Sequence, residues 1–155
     1  MIIREFNEAD ISTLGKLAQC FDLEFNCCER IGGFNIDVFC EQLDLMKNMV
    51  RAWLYEDSNE VFAALVMLEF INPFSGLKAL EEFFWYSIPK MRNRNNLRLI
   101  RCMEKYAQSN NIEYIAMSSM RDVNSDKLHS FYTRKGYKLN QSQYILTIGG
   151  RKHGK

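Results

Sequence analysis

The hydrophobic residues of this chain follow a helical period in some segments and a strand-like pattern in others. After a short apolar segment at 2–6, they recur at helical spacing over 11–18 and again over 36–46. Asp10 precedes the first of these helical segments and is predicted to cap it. The segment 23–34 contains two adjacent glycines and predicts a loop. The first part of the chain therefore predicts a strand followed by two helices.

Three strands are predicted in the middle of the chain. Residues 50–56 form the first, and the nearly unbroken apolar run 61–71 is typical of a strand that is buried on both faces. A third strand, 80–88, ends at Pro89. Turn-forming segments separate the three strands, which therefore predict a meander.

The remaining segments predict a helix at 97–107, a strand at 112–117, a helix at 125–135 and a last strand at 144–148. A helix that connects two strands of one sheet makes those strands parallel, so 80–88 and 112–117 are expected to be parallel.

We therefore predict a single α/β domain over 1–148, with a mixed, mostly antiparallel sheet and helices on both of its faces. The basic, glycine-rich segment 149–155 is predicted to be a flexible tail.

Composition and charge narrow the function classes only slightly. Hydrophobic residues make up 47% of the 155 residues and charged residues 25%, an ordinary balance for a globular domain. The net charge of +1 creates no overall field toward nucleic acid or membranes, so electrostatic recognition must be local. No apolar run approaches the ~20 residues needed to span a bilayer, and the charged N-terminus is unlike a secretory signal. We expect a cytoplasmic protein with no membrane partner.

Cysteine and histidine residues give no recognisable metal site. The chain has five cysteines, none of them in C-x-x-C spacing, and only two histidines. We expect reduced, structural thiols and no bound metal.

Positive charge concentrates where the third helix begins. The stretch PKMRNRNNLRLIRC, 89–102, holds five lysines or arginines and three asparagines. A helix N-terminus presents unpaired N–H groups and a partial positive charge, and nearby cationic side chains add charge-assisted bonds to phosphate. Taken alone, these residues equally fit a solvated helix start or a patch that binds the phosphates of nucleic acid.

Two segments in this half of the chain resemble the sequence markers of one enzyme family. The segment YSIPKMRNRNNLRLIRCMEKYAQ resembles the acetyl-CoA motif of GNAT-type N-acetyltransferases, in which an Arg precedes a glycine-rich turn and a helix. The segment SFYTRKGYKL resembles the second marker of the family, with Phe131, Tyr132, Gly136 and Tyr137 at its defining positions. The predicted order of elements over 1–148 is also similar to that of the family.

The resemblance implies an acetyl-CoA site around the turn before the third helix. Arg92 stands at the Arg of the motif, and its glycine positions fall on Asn95 and Leu97. Asn tolerates positive φ better than other non-glycine residues, whereas Leu adds bulk where a small residue lets the pyrophosphate approach the backbone. The residues that the resemblance assigns to the coenzyme are the backbone of Tyr86, Ser87 and Ile88 beside the pantetheine arm, the turn residues Arg92, Asn93, Arg94, Asn95, Asn96 and Leu97, and Ser125.

The reaction of the family is direct attack of an amine on the thioester carbonyl of acetyl-CoA. The resemblance implies that Tyr132 is the general acid for the departing thiolate; a Tyr that only packs under the coenzyme is the alternative. Glu81 and Glu82 point to opposite faces of one strand, so one of them is expected to face the cleft as a base. Glu69 on the neighbouring strand is a rival, and each of these carboxylates could instead be a surface charge.

We therefore expect an acetyl-CoA-dependent N-acetyltransferase that acts on a primary amine of a small molecule or a protein. Glu24 and Glu29 lie in the predicted acceptor loop, where they either attract such an amine or are solvated loop charges. One alternative is a GNAT-fold binding protein in which Leu97 and the missing glycines abolish coenzyme binding. Another is nucleic-acid association through 90–101. Many members of the family dimerise, which leaves a homodimer open.

Overall fold

The computed structural model describes residues 2–29, 32–92, 96–118 and 125–139. Nine α-helices and β-strands lie in these ranges: β1 (Ile2–Glu5), α1 (Ile11–Phe25), α2 (Ile36–Leu45), β2 (Val50–Asp57), β3 (Glu60–Ile71), β4 (Lys78–Ser87), α3 (Leu97–Ser109), β5 (Tyr114–Ala116) and α4 (Ser125–Arg134). Each overlaps its predicted position. The predicted strand at 144–148 and the tail at 149–155 lie outside the described residues.

The five strands form one sheet in which neighbours in sequence are neighbours in space, in the order β1–β2–β3–β4–β5. The pairs from β1 to β4 are antiparallel, and β4 pairs with β5 in parallel after the connection through α3. The predicted meander and parallel pair are therefore confirmed, and with them the mixed α/β fold class.

Each face of the sheet has its own hydrophobic core, because consecutive side chains of a strand point to opposite faces. Val66 of β3 packs in the core formed with α1 and α2, and its neighbour Leu65 packs in the core formed with α3. The strand is thus buried on both faces, as its unbroken apolar sequence predicts. Within the described ranges, no helix is long and apolar enough to cross a membrane.

The start of α1 is held by an ion pair rather than by the predicted cap. Asp10 stands at the N-cap position but makes no side-chain capping bond to α1. Its carboxylate accepts the Asn7 N–H at 2.9 Å and both terminal nitrogens of Arg4 at 2.7 Å. Arg4 Nε also donates to Glu56 of β2 at 2.6 Å. The Arg4 hydrogen bonds hold the pKa of Asp10 below its usual range, and the network fixes α1 against β1 and β2.

Helices α1 and α2 pack closely at Gly15. A methyl group at this position would lie 2.6 Å from the Cys40 sulfur and 3.2 Å from Cγ1 of Ile36. Glycine inside a helix costs about 1 kcal/mol relative to alanine, so its presence here is explained by the helix contact and not by helix propensity.

Gly15→Ala should destabilise the wild-type protein by about 1–2 kcal/mol, because the new methyl group overlaps the Cys40 sulfur and overpacks the helix pair. On a Cys40→Ala background the sulfur is gone, and the same substitution should be neutral or stabilising by up to about 1 kcal/mol. Urea unfolding of the four proteins measures both effects. An equal effect of Gly15→Ala on the two backgrounds would contradict the proposed overlap.

Candidate functional site

Strands β4 and β5 stop pairing soon after they meet. Their ladder joins only Ala79–Glu81 to Tyr114–Ala116, whereas β4 continues to Ser87. The register between β3 and β4 shifts just beyond this ladder, where Phe83 is the extra residue of a β-bulge. A bulge bends the strand that carries it and increases its twist. The later part of β4 therefore has no strand partner on its β5 edge among the described residues, and we call this unpaired edge the gap.

The backbone of β4 offers its N–H groups to this gap at alternate residues. The Ile88 N–H donates to the Phe62 carbonyl of the β3 side at 3.0 Å. Because the bonds of an antiparallel ladder alternate, the N–H of Tyr86 also points to β3, and those of Ser87 and Trp85 point to the gap. The N–H groups of Tyr86 and Ile88 are thus used by β3, and that the backbone of Tyr86, Ser87 and Ile88 runs beside the pantetheine arm stays a prediction. The sequence could not single out Trp85, because which N–H groups face the gap depends on the hydrogen-bond phase of the ladder.

Asn96 connects the end of β4 to the start of α3. Its side-chain nitrogen donates to the Ser87 hydroxyl at 2.8 Å and to the Met91 carbonyl at 3.3 Å. The residue is 6% exposed, and its side-chain oxygen has no hydrogen-bond partner in the described part of the chain. Its side chain makes no capping bond to α3, so it leaves the first N–H groups of that helix free for other partners.

Several of the predicted coenzyme residues lie outside the described residues. These are Asn93, Arg94 and Asn95, and the side chain of Ser125, which begins α4. Leu97 is the first residue of α3 and is 36% exposed, so its side chain is not part of the core under the helix.

Arg92 faces a carboxylate of α1. Its terminal nitrogens donate to the two Glu24 oxygens at 2.7 and 2.5 Å, and its Nε donates to the Ser87 carbonyl at 2.9 Å. The hydrogen bonds from Arg92 hold the pKa of Glu24 below its usual range. Glu24 lies inside α1, which extends to Phe25 and so beyond the start of the predicted loop. The pair with Arg92 neutralises the Glu24 charge, which disfavours the expectation that Glu24 attracts an amine.

Glu82 and Tyr132 both bind the backbone of Ser118, just after β5. The Glu82 carboxylate accepts the Ser118 N–H at 3.0 Å, and the Tyr132 hydroxyl donates to the Ser118 carbonyl at 3.4 Å. Burial raises the pKa of Glu82 to about 7, although the Ser118 N–H favours the carboxylate. Burial and the Glu82 charge raise the pKa of Tyr132, so this phenol stays protonated.

The two other candidate carboxylates have different surroundings. Glu81 is exposed on the opposite face of β4. Glu69 binds Lys78 and Arg51, both at 2.8 Å, and accepts the Tyr106 hydroxyl at 2.6 Å. Although burial alone would raise the pKa of Glu69, hydrogen bonds from Lys78 and Tyr106 lower it. Glu69 is therefore a structural carboxylate.

The second sequence marker has a simple structural basis at the end of α4. Gly136 adopts a φ of 91°, and its N–H donates to the Thr133 carbonyl at 3.0 Å. The Tyr137 N–H donates to the Tyr132 carbonyl at 3.0 Å. These two bonds form a Schellman motif, which turns the chain back and places the Tyr137 ring 5.5 Å from that of Tyr132. The glycine and the aromatic residue thus fix the position of Tyr132.

A phenylalanine cluster covers the face of β4 that is opposite Glu82. Phe83, at the bulge, stacks on Phe39 of α2 with ring centroids 5.7 Å apart, and Phe34 lies 5.6 Å from Phe39. Phe83 remains 39% exposed. This apolar surface was not predicted, since a bulge in an aromatic run leaves no sequence signal.

The described structure is similar to solved acetyltransferases. A ribosomal-protein-alanine N-acetyltransferase from Brucella melitensis biovar Abortus 2308 has a TM-score of 0.69 and 16% identity, covering 96% of this chain and 100% of that chain. A predicted acetyltransferase from Clostridium acetobutylicum, solved with acetyl-CoA, has a TM-score of 0.74 and 15% identity, covering 94% and 95%. An aminoglycoside acetyltransferase from an uncultured soil metagenomic sample, solved with sisomicin, has a TM-score of 0.73 and 11% identity, covering 96% of each.

No protein-family model matches the chain, and no curated protein matches it significantly. The structural neighbours show the fold: the chain has the GNAT acetyltransferase fold that its two sequence markers predicted.

Glu82→Gln should make the protein's stability less dependent on pH. The folded-state pKa of Glu82 is raised from 4.5 to about 7. Its favourable contribution is therefore full below pH 4.5 and is lost as the pH rises through about 7. Relative to wild type, the variant should gain on the order of 2 kcal/mol between pH 4.5 and pH 8. Chemical unfolding across this range measures the change. Glu81→Gln, which leaves Glu82 in place, should keep the wild-type pH dependence, and parallel curves for wild type and Glu82→Gln would exclude a raised pKa.

Proposed function

We propose that this chain, which has the fold of GNAT-type acetyltransferases, is an acetyl-CoA-dependent N-acyltransferase that acts on a primary amine. One observation carries the proposal. Glu82, a carboxyl group with a pKa of about 7, and Tyr132, a protonated phenol, both bind the backbone of Ser118 where β4 leaves β5. An acid and a base on either side of one opening are what amine acylation requires.

The coenzyme would bind to backbone groups more than to side chains. In this proposal the pantetheine arm runs along β4 and pairs with the N–H groups at the gap edge, including that of Ser87. The first N–H groups of α3, together with residues 93–96, would receive the phosphates. One of the N–H groups of β4 at the gap stabilises the oxyanion of the tetrahedral intermediate.

The chemical step needs one proton acceptor and one proton donor. The amine nitrogen attacks the thioester carbonyl carbon and forms the C–N bond, and its proton passes to the Glu82 carboxylate, directly or through water. Collapse of the intermediate breaks the C–S bond, and the Tyr132 hydroxyl protonates the departing thiolate. The proton that Glu82 accepted then returns to Tyr132, directly or through water, so that both groups regain their starting states. Because burial raises the pKa of Glu82 to about 7, a large share of this group is ionised and available as a base near neutral pH.

The acceptor would approach from the face that carries α1 and α2, and its amine would reach Glu82 on the other face through the gap. The exposed part of Phe83 and its stack with Phe39 give this side an apolar wall. The names of the structural neighbours include a ribosomal-protein-alanine N-acetyltransferase and aminoglycoside acetyltransferases. We propose only the shared chemistry, an amine of a small molecule or a protein.

A second candidate is a GNAT-fold binding protein without coenzyme. Two observations favour it: Arg92 is occupied by Glu24, and Leu97 stands where a small residue would let the diphosphate approach. Nucleic-acid association is less supported by the same geometry, because Glu24 neutralises one of the cations in 90–101.

Acetyl-CoA should stabilise the wild-type protein. At a concentration one hundred times its dissociation constant, the ligand should add about 2.7 kcal/mol to the free energy of unfolding. Calorimetric titration gives the dissociation constant, and thermal unfolding with and without ligand checks the stabilisation. A wild-type protein that binds no acetyl-CoA at millimolar concentration would support the binding-protein alternative and exclude the enzyme.

Tyr132→Phe should lower turnover by about a hundredfold while changing acetyl-CoA affinity little, because only the hydroxyl proton is lost. The assay follows release of free coenzyme A thiol with the best acceptor from a panel of primary amines. Tyr137→Phe is the matched control: it removes a neighbouring hydroxyl and should keep near wild-type turnover. Full activity of Tyr132→Phe would show that Tyr132 only packs.

A further inference from the structure

We infer that Arg92 is a positioning residue, which clamps the end of α1 to the end of β4 through Glu24 and shapes the coenzyme site without binding phosphate itself. The inference rests on the proposed function, since it concerns the same site. The resemblance to the acetyl-CoA motif assigned Arg92 to the coenzyme, whereas the structure joins it to a residue that is 68 positions away in sequence.

The guanidinium is held from several directions. Its two terminal nitrogens pair with both Glu24 oxygens, and its Nε donates to the Ser87 carbonyl. The group also lies 5.6 Å from the ring centroid of Phe25 and 5.5 Å from that of Tyr86. A two-point pair with a carboxylate and stacking on aromatic rings are geometries that Arg supports and Lys does not.

Glu24 is held independently of Arg92. The Tyr86 hydroxyl donates to the Glu24 carboxylate at 3.1 Å. The cluster of Glu24, Tyr86 and Arg92 therefore connects three segments: the last turn of α1, the end of β4 and the turn that precedes α3. Its position at the end of α1 also places it at the start of the α1–α2 connection, on the proposed acceptor side.

The clamp acts on the backbone that would hold the coenzyme. Ser87 presents its N–H to the gap, and Arg92 binds the carbonyl of the same residue at 2.9 Å. Asn96 binds the Ser87 hydroxyl from the start of α3 at 2.8 Å. Arg92 and Asn96 thus fix one residue of β4 from two directions, and loss of either contact frees the strand edge that we propose for the pantetheine arm.

Charge balance argues against a phosphate role for Arg92. The hydrogen bonds from Arg92 lower the pKa of Glu24, so the carboxylate is ionised and the pair is neutral. If Arg92 turned toward a phosphate, Glu24 would be left ionised beside a ligand of the same charge. The N-terminus of α3 offers the phosphates an alternative partner.

The two roles predict opposite effects for Glu24→Gln. We would titrate wild type, Glu24→Gln, Arg92→Gln and the double variant with coenzyme A by calorimetry, at one ionic strength. For a clamp, each single variant should bind coenzyme A about five- to thirtyfold more weakly, and the double variant should be no weaker than the worse single variant. If Arg92 binds phosphate, removal of the negative charge of Glu24 should leave affinity unchanged or increase it, which would overturn the clamp.

Two matched variants separate geometry from charge. Arg92→Lys keeps the charge but loses the planar fork, so for a clamp it should bind coenzyme A nearly as weakly as Arg92→Gln; recovery of affinity by Lys would overturn the inference. Glu29→Gln removes a nearby exposed carboxylate, which bonds to the Asn26 side chain, and leaves the clamp intact. It should give unchanged or slightly tighter binding.

Folding and function are separated by the same measurements. Circular dichroism melts confirm that each variant is folded at the titration temperature. A purely structural role would lower the unfolding temperature but leave the dissociation constant of the folded protein unchanged, which also overturns the inference. If the wild-type protein binds no coenzyme A, the proposed function fails first and the positioning role fails with it. If wild type binds and Glu24→Gln binds as well or better, only the positioning role fails.

Discussion

The backbone of a strand inside a sheet needs hydrogen-bond partners along both edges, and in the described chain β4 has strand partners on both edges over only three residues. Beyond Glu81 the strand keeps β3 but leaves β5, and the bulge at Phe83 directs it away. The polar groups that are left over gather at this point. The Glu82 carboxylate accepts the Ser118 N–H, and Arg92 donates to the Ser87 carbonyl. Among the described residues, the N–H groups of β4 that face the gap can still bind a ligand that carries amides.

Pairing with an opposite charge also decides which side chains of this chain keep an effective charge. The stretch 89–102 is strongly basic by sequence, yet the arginine at the centre of the motif is paired with a carboxylate of α1. Glu69 is likewise surrounded by Lys78 and Arg51, and Asp10 by Arg4. Glu82 is different, because the described contacts give it a peptide N–H and two tyrosine neighbours but no cation. Burial can therefore raise its pKa where the other carboxylates keep their charge.

The elements of the fold could be predicted because each has a local signal in the sequence. The helical stripe of α3, the apolar run of β3 and the glycine that ends α4 require no knowledge of distant residues. The parallel pairing of β4 and β5 could be predicted from the helix that connects them. The turn that holds Tyr132 is local in the same way, since its Schellman motif is complete within six residues, while the role of Tyr132 comes from the family resemblance and stays a prediction.

The candidate site was less predictable because its contacts join segments that are distant in sequence. The pair of Glu24 and Arg92 spans 68 residues, and the contact of Glu82 with Ser118 spans 36. The alternation of side chains along a strand places Glu81 and Glu82 on opposite faces, but only packing shows that Glu82 is the one near Tyr132. Asn93, Arg94 and Asn95 lie outside the described residues, so their assignment to the phosphates stays a prediction.

The short ladder between β4 and β5 also has a consequence for how the molecule assembles. The connections from β2 to β3 and from β3 to β4 are short, whereas β4 and β5 are joined through the whole of α3, and β1 and β2 through α1 and α2. Closing a longer loop costs more chain entropy, and three residue pairs offset little of it. The join between β4 and β5 should therefore form after the β2–β3–β4 meander during folding and open before it in native-state fluctuations, and a ligand bound across this join would hold it closed.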